Sequence, residues 1–115
     1  MKADERDIAV IEKMDAYCRQ IEEAHEQFGR DQERFFSSTV YHNAVALCIL
    51  QIGELANHLS EDFKNACPGI PWKSIRGMRN LVAHEYGSLD TTIVWETSTE
   101  DIVSLQSFCE SVLNE

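Results

Sequence analysis

The sequence is poor in chain breakers: its only two prolines, Pro68 and Pro71, fall together in the stretch CPGIP, and glycine occurs five times in 115 residues. Nothing outside CPGIP forces the chain out of helical geometry, and no stretch alternates apolar and polar residues as a half-buried strand would. Long apolar runs are also missing. The longest, Ala44 to Leu50, is far short of the roughly 20 residues needed to cross a bilayer, and the start, MKADERD, has no apolar core of a secretory signal. A soluble, cytoplasmic protein with no membrane partner is expected. There is no CxxC pair; Cys18, Cys48, Cys67 and Cys109 are widely spaced, and Cys18, Cys48 and Cys109 fall on apolar helical faces. Reduced, buried thiols are expected rather than a disulfide framework or a zinc site, and no metal or cofactor is implied. Finally, positive charge is in deficit. A formal net charge of -10 repels nucleic acid and anionic membranes on average, so any anion must be met locally.

What is present is a helical pattern. Residues 1–115 read as a single domain with one core. The spacing predicts a first helix carrying Val10, Met14, Tyr17, Ile21, Ala24 and Phe28, stopped at Gly29. After the polar DQER and a cap at Ser37 or Ser38, a second helix carries Tyr41, Val45, Cys48, Ile52, Leu55 and Leu59. Its second apolar set, Ala46, Ile49, Gly53 and Ala56, requires another neighbour, inside the bundle or across a subunit boundary. A short helix near Glu61 to Ala66 precedes CPGIP. The next helix should run from Pro71 to about Tyr86, with Gly87 as its stop, and the last should start at the N-cap Asp90. That last helix returns with Ile102, Leu105, Cys109 and Val112, and Ser98-x-x-Asp101 predicts a kink with a second capping start.

Charge is unevenly spread. Between Phe63 and His84 lie Lys64, Lys73, Arg76 and Arg79 with no acidic residue, and after Arg79 no Lys or Arg recurs. At about 100° per residue, Ile75, Met78 and Val82 form one stripe of the third long helix, and Lys73, Arg76, Asn80 and His84 align nearly opposite. Such a stripe is ordinarily just the solvated face of an amphipathic helix. Its contrast with the acidic remainder, and the presence of a histidine suited to proton transfer near neutrality, make it a candidate phosphate-binding surface. Arg79 is offset from His84 by roughly 140° around the helix and shares a column with Tyr86. One helix therefore does not bring Arg79 and His84 together, whereas a second copy across a two-fold axis would.

At RNLVAHEY the sequence resembles the HEPN superfamily, and Arg79, His84 and Tyr86, in the form Arg-x4-His-x-Tyr, resemble its HepT branch. The resemblance extends to Gly53-Glu54 in QIGELA and to the block GIPWKSIRGMRNLVAHEYGSLDTTIVW, covering most of the chain from about Tyr41. It implies an all-α, antiparallel HEPN bundle of four to five helices and a homodimeric, metal-independent endoribonuclease acting as a toxin. Arg79, Asn80 and His84 would be catalytic, and Lys73 and Arg76 would position RNA. The partner implied is an MNT-type nucleotidyltransferase antitoxin that silences the toxin by attaching AMP to Tyr86. The rival reading is a non-catalytic docking subunit of a nucleotidyltransferase, which suits the acidity but leaves Arg79 and His84 without a task.

Other polar residues have simpler readings. Glu54 and His58, four apart, suggest a helix-surface ion pair, with Glu54 facing the motif as the alternative. His25 and His42 have no metal-ligand spacing with any Cys or carboxylate, and Trp72 and Trp95 read as core or interface anchors.

Overall fold

The computed structural model describes residues 3–83 and 90–115, with only the backbone course at 81–83. All regular structure among them is helical. Helix α1 (Glu5–Gln27) is capped by Asp4, whose side chain accepts from the Asp7 amide at 2.8 Å. It ends where Gly29 and Arg30 take positive φ values of 70° and 55°. A six-residue helix α2 (Gln32–Ser37) follows, capped by Asp31. The sequence marks this stretch only as a polar linker, because six residues show too little periodicity to register. Of the two expected caps, Ser38 is the one used, and it opens α3 (Thr39–Ala56). The remaining elements are α4 (Glu61–Ala66), α5 (Trp72–Ala83), α6 (Thr91–Glu96) and α7 (Ile102–Leu113).

α6 and α7 are one helical path joined by a π-helical turn at Thr97–Asp101. The expected kink is there, but its cause is not a second cap: Asp101 makes no capping hydrogen bond. The hydroxyls of Ser98 and Thr99 both donate to the Trp95 carbonyl at 2.9 Å, competing for an acceptor of the helical ladder and widening the turn.

Helix α3 lies between α1 and α5, and α1 also packs on α7. The two apolar sides of α3 are thus both used within one chain, so they give no reason to invoke a second subunit. Ile11, Met14, Ile21, Tyr41, Val45, Ile49 and Ile52 form the centre of the core. At one end, Tyr41 stacks on Phe28 at 4.4 Å and meets Phe35 edge-on at 4.9 Å, with Trp95 against Phe35 at 5.2 Å. At the other end, Phe63, Trp72 and Phe108 form a second aromatic cluster. Both tryptophans are therefore core anchors.

Two buried polar links tie these elements together. Asp7 accepts from the Ser60 amide (2.8 Å) and hydroxyl (2.7 Å), fixing the cap of α4 to the first turns of α1. His25 bridges three elements: Nδ1 meets the Tyr41 hydroxyl and Nε2 meets Ser98 Oγ at 2.9 Å. Because Ser98 gives its proton to Trp95, its oxygen accepts from Nε2–H, leaving Nδ1 to accept from Tyr41; the neutral imidazole satisfies every partner. Burial holds the His25 pKa below its ordinary value, as neutrality requires. Cys18, Cys48 and Cys109 are buried and unbridged, and burial pushes the Cys48 thiol to about 11 and that of Cys109 to about 12.

Candidate functional site

The start of α5 is fixed by Trp72, whose indole N–H donates to the carbonyls of Lys64 (3.2 Å) and Cys67 (3.1 Å). From there Ile75 and Met78 turn into the core, whereas Lys73, Arg76 and Asn80 are exposed, as the helical spacing predicts. The rest of the motif, His84, Tyr86 and the stop at Gly87, lies outside the described residues, as does the side chain of Val82.

The position of Arg79 is set by a glycine on the neighbouring helix. A Cβ built on Gly53 would lie 2.6 Å from the Arg79 backbone nitrogen and 3.0 Å from its Cβ. No side chain fits there, so α3 and α5 meet with their backbones nearly in contact. That approach brings Glu54, the next residue of α3, onto the Arg79 guanidinium, where its carboxylate accepts from Nε. The expected Glu54–His58 pair does not form. Helix α3 ends at Ala56, so the i,i+4 geometry needed for that pair ceases before His58.

Glu54 and Arg79 are both about two-fifths exposed, at 42% and 39%. An exposed pair of this kind contributes only about 0–1 kcal/mol to stability, so its main consequence is to orient the guanidinium. Arg79 Nη1 also donates to the Asn80 side-chain oxygen at 3.2 Å. With Nε and one Nη1 hydrogen engaged, the Nη2 donors have no partner among the described residues.

Lys73, Arg76, Arg79 and Asn80 line a shallow groove of about 390 Å³ with Gly77 and Asn57. The structure thus brings Glu54 and four of the residues singled out on α5 to one place, and the groove has no acidic lining among the described residues. Asn57 was missed by sequence reasoning; its only signal was its place just beyond a Gly-Glu pair that the motif helix contacts. A second cleft of about 550 Å³, between α5 and α7, is lined by Ile70, Pro71, Ser74, Met78, Thr97 and Asp101 among others. It has no cationic lining among the described residues and one carboxylate, which suits it poorly to a phosphate. No cluster of three potential metal ligands occurs among the described residues, nor does any helix among them have the length and apolarity to cross a membrane.

Comparison with known proteins agrees with this architecture. Residues 14–112 match the family described as ribonuclease HepT-like. A Thermococcus cleftensis protein named "Probable ribonuclease HepT" is 34% identical over 107 residues, spanning 92% of this chain and 89% of its own. A Methanocaldococcus jannaschii protein named "Putative RNase MJ1380" is 29% identical over 82 residues, spanning 71% of this chain and 75% of its own. "Putative RNase TTE0752" of Caldanaerobacter subterraneus is 32% identical over 81 residues, covering 70% and 72% respectively. No solved structure is a significant match. With the family model covering most of the all-α bundle, including the helix that carries Arg79, the chain belongs to the HepT-like ribonuclease family.

Proposed function

We propose that this protein is a metal-independent endoribonuclease, the toxin of a toxin–antitoxin pair, with Arg79, Asn80 and His84 as its catalytic residues. The observation that carries this reading is the guanidinium of Arg79, oriented by Glu54 at the close approach over Gly53, its Nη2 donors without a partner among the described residues. It lies beside a groove lined by Lys73, Arg76 and Asn80 with no carboxylate lining among the described residues. His84 follows Ala83, the last described residue of the same helix.

In the reaction, an RNA 2′-hydroxyl attacks the adjacent phosphorus and the 5′-oxygen of the next nucleotide leaves, giving a 2′,3′-cyclic phosphate and a 5′-hydroxyl. His84 takes the proton of the attacking hydroxyl or supplies one to the leaving oxygen. Arg79 donates hydrogen bonds to the phosphoryl oxygens as negative charge grows there. Asn80 holds the imidazole or a phosphate oxygen, and Lys73 and Arg76 position the strand. No step requires a metal.

The active form is a homodimer in this reading. Val40 (73% exposed) and Leu47 (55%) are among the large apolar residues left in solvent. With Ala44 they occupy one narrow arc of α3 that continues to Glu54, so an exposed apolar strip leads to the Arg79 pair. A two-fold contact along it would bring two motifs together, which answers the offset of Arg79 from His84 that helical spacing predicts. The proposed partner is an MNT-type nucleotidyltransferase antitoxin. The Tyr86 hydroxyl attacks the α-phosphorus of ATP, pyrophosphate leaves, and the bulky anion added beside the motif repels RNA.

The test of this modification is incubation with the cognate nucleotidyltransferase, ATP and Mg²⁺, followed by peptide mass spectrometry. AMP on Tyr86 and escape of Tyr86→Phe from silencing are expected; an adduct elsewhere contradicts it.

A further inference from the structure

The lysines and arginines among the described residues divide into two groups. Arg19 pairs with Asp15, Arg30 with Glu22 and Glu26, Arg34 with Asp31, Lys64 with Glu61, and Arg79 with Glu54. Arg6, Lys13, Lys73 and Arg76 have no carboxylate partner among the described residues, although the chain carries 20 Asp and Glu. These four are not scattered. Lys73 and Arg76 line the groove beside Arg79. Arg6 and Lys13 line a second groove of about 630 Å³, with Ala9, Val10, Leu55 and His58. Asn57, at the end of α3, borders both grooves, so they adjoin, and neither has an acidic lining among the described residues.

The cause lies in the packing of α3. α3 contacts α1 on one side and α5 on the other, so residues just past its end sit between the two. Arg6 and Lys13 are seven residues apart, two turns of α1, and therefore share a face, with Val10 between them to carry their aliphatic stems. In a chain of net charge -10, cations without a carboxylate partner among the described residues, gathered in two adjoining grooves, make a locally positive strip within a repelling field. The strip is extended and shallow, fitting a chain of phosphates better than a single one.

We propose that Arg6 and Lys13, with Asn57 and His58, continue the phosphate-binding surface of α5, so that a single-stranded RNA held at the motif runs over the end of α3 onto α1. The identity of the strand rests on the ribonuclease reading, so binding and cleavage are measured separately.

Binding is followed by fluorescence anisotropy with a fully 2′-O-methylated RNA, which cannot be cut, over a salt series. The variant Arg6→Gln/Lys13→Gln is compared with Arg19→Gln/Arg34→Gln, which changes net charge equally but at carboxylate-paired positions. All four side chains are exposed, so both variants should fold. The first pair should weaken binding on the order of tenfold or more and lower the slope of log K against log salt by about 1.4, or about 0.7 for each phosphate no longer neutralised. The control pair should leave that slope unchanged. Equal weakening in the two variants, or an unchanged slope in the first, would overturn the proposal. Poly-L-glutamate bound as tightly as RNA, with the same dependence on Arg6 and Lys13, would overturn it in favour of an acidic protein partner. RNA binding that depends on Arg6 and Lys13, without cleavage of unmodified RNA, would support the strip and sink the ribonuclease reading alone.

Discussion

Gly53 is where one hydrogen atom in place of a methyl decides the site. In Gly53→Ala, the added Cβ would meet backbone atoms of Arg79, which cannot rotate aside as a flexible side chain would. Separating the helices should cost about 1–3 kcal/mol by overpacking and should pull Glu54 off Arg79. The expected outcome is a folded but less stable protein whose RNA cleavage falls more than its stability, read from urea midpoints and initial rates on the same preparation. Wild-type cleavage in Gly53→Ala would mean that the close approach does not set the arginine. Glu54→Gln separates orientation from packing: it keeps the shape and the Nε acceptor but removes the charge, so stability should change little.

His25 makes a prediction of the opposite kind, one of stability without activity. The folded state keeps it neutral, with a pKa depressed by burial. The unfolded chain takes up a proton near the ordinary value of about 6.5. Its contribution is therefore fully present above that value and is lost as the pH falls below it toward the folded pKa. The urea midpoint should drop between pH 7.5 and 5.5, and His25→Gln, less stable throughout, should show a shallower drop. An equal decline in the variant would place the titration elsewhere.

Among the elements, what could be read from sequence was whatever repeated. The 3.6-residue spacing located α1, α3, α5 and α7, and polar caps marked the starts of α3 and α6. It also showed which residues of α5 share a face: Lys73, Arg76 and Asn80 outward, Ile75 and Met78 inward. The rest depended on contacts between helices, which no single-helix pattern encodes. That Glu54 pairs with Arg79 rather than His58 follows from where α3 ends, and the basic groove of Arg6 and Lys13 from which helix lies beside α3. Likewise, α3 is apolar on two sides because α1 and α5 flank it, not because it meets a second subunit there. The π turn arises from two hydroxyls competing for one carbonyl, a detail of side-chain direction rather than of period.

For the molecule as a whole, exposed apolar surface bears on assembly. The exposed Val40–Ala44–Leu47 strip predicts a two-fold contact on α3, so sedimentation at micromolar concentration should give twice the 13.1 kDa chain mass. Leu47→Glu, which places a charge in that strip, should shift the protein toward monomer and reduce cleavage. A wild-type monomer that cleaves RNA would contradict a site completed across the two-fold axis.

The ribonuclease assignment itself is tested most directly by one comparison: purified wild-type protein and His84→Ala incubated with RNA in EDTA, with the product ends determined. The expected result is cleavage by the wild type that leaves 2′,3′-cyclic phosphates and spares DNA, which lacks the attacking hydroxyl. In His84→Ala the rate should be lower by about 10²–10⁴-fold. Cleavage of equal rate in His84→Ala, or cleavage by the wild type that EDTA abolishes, would contradict it.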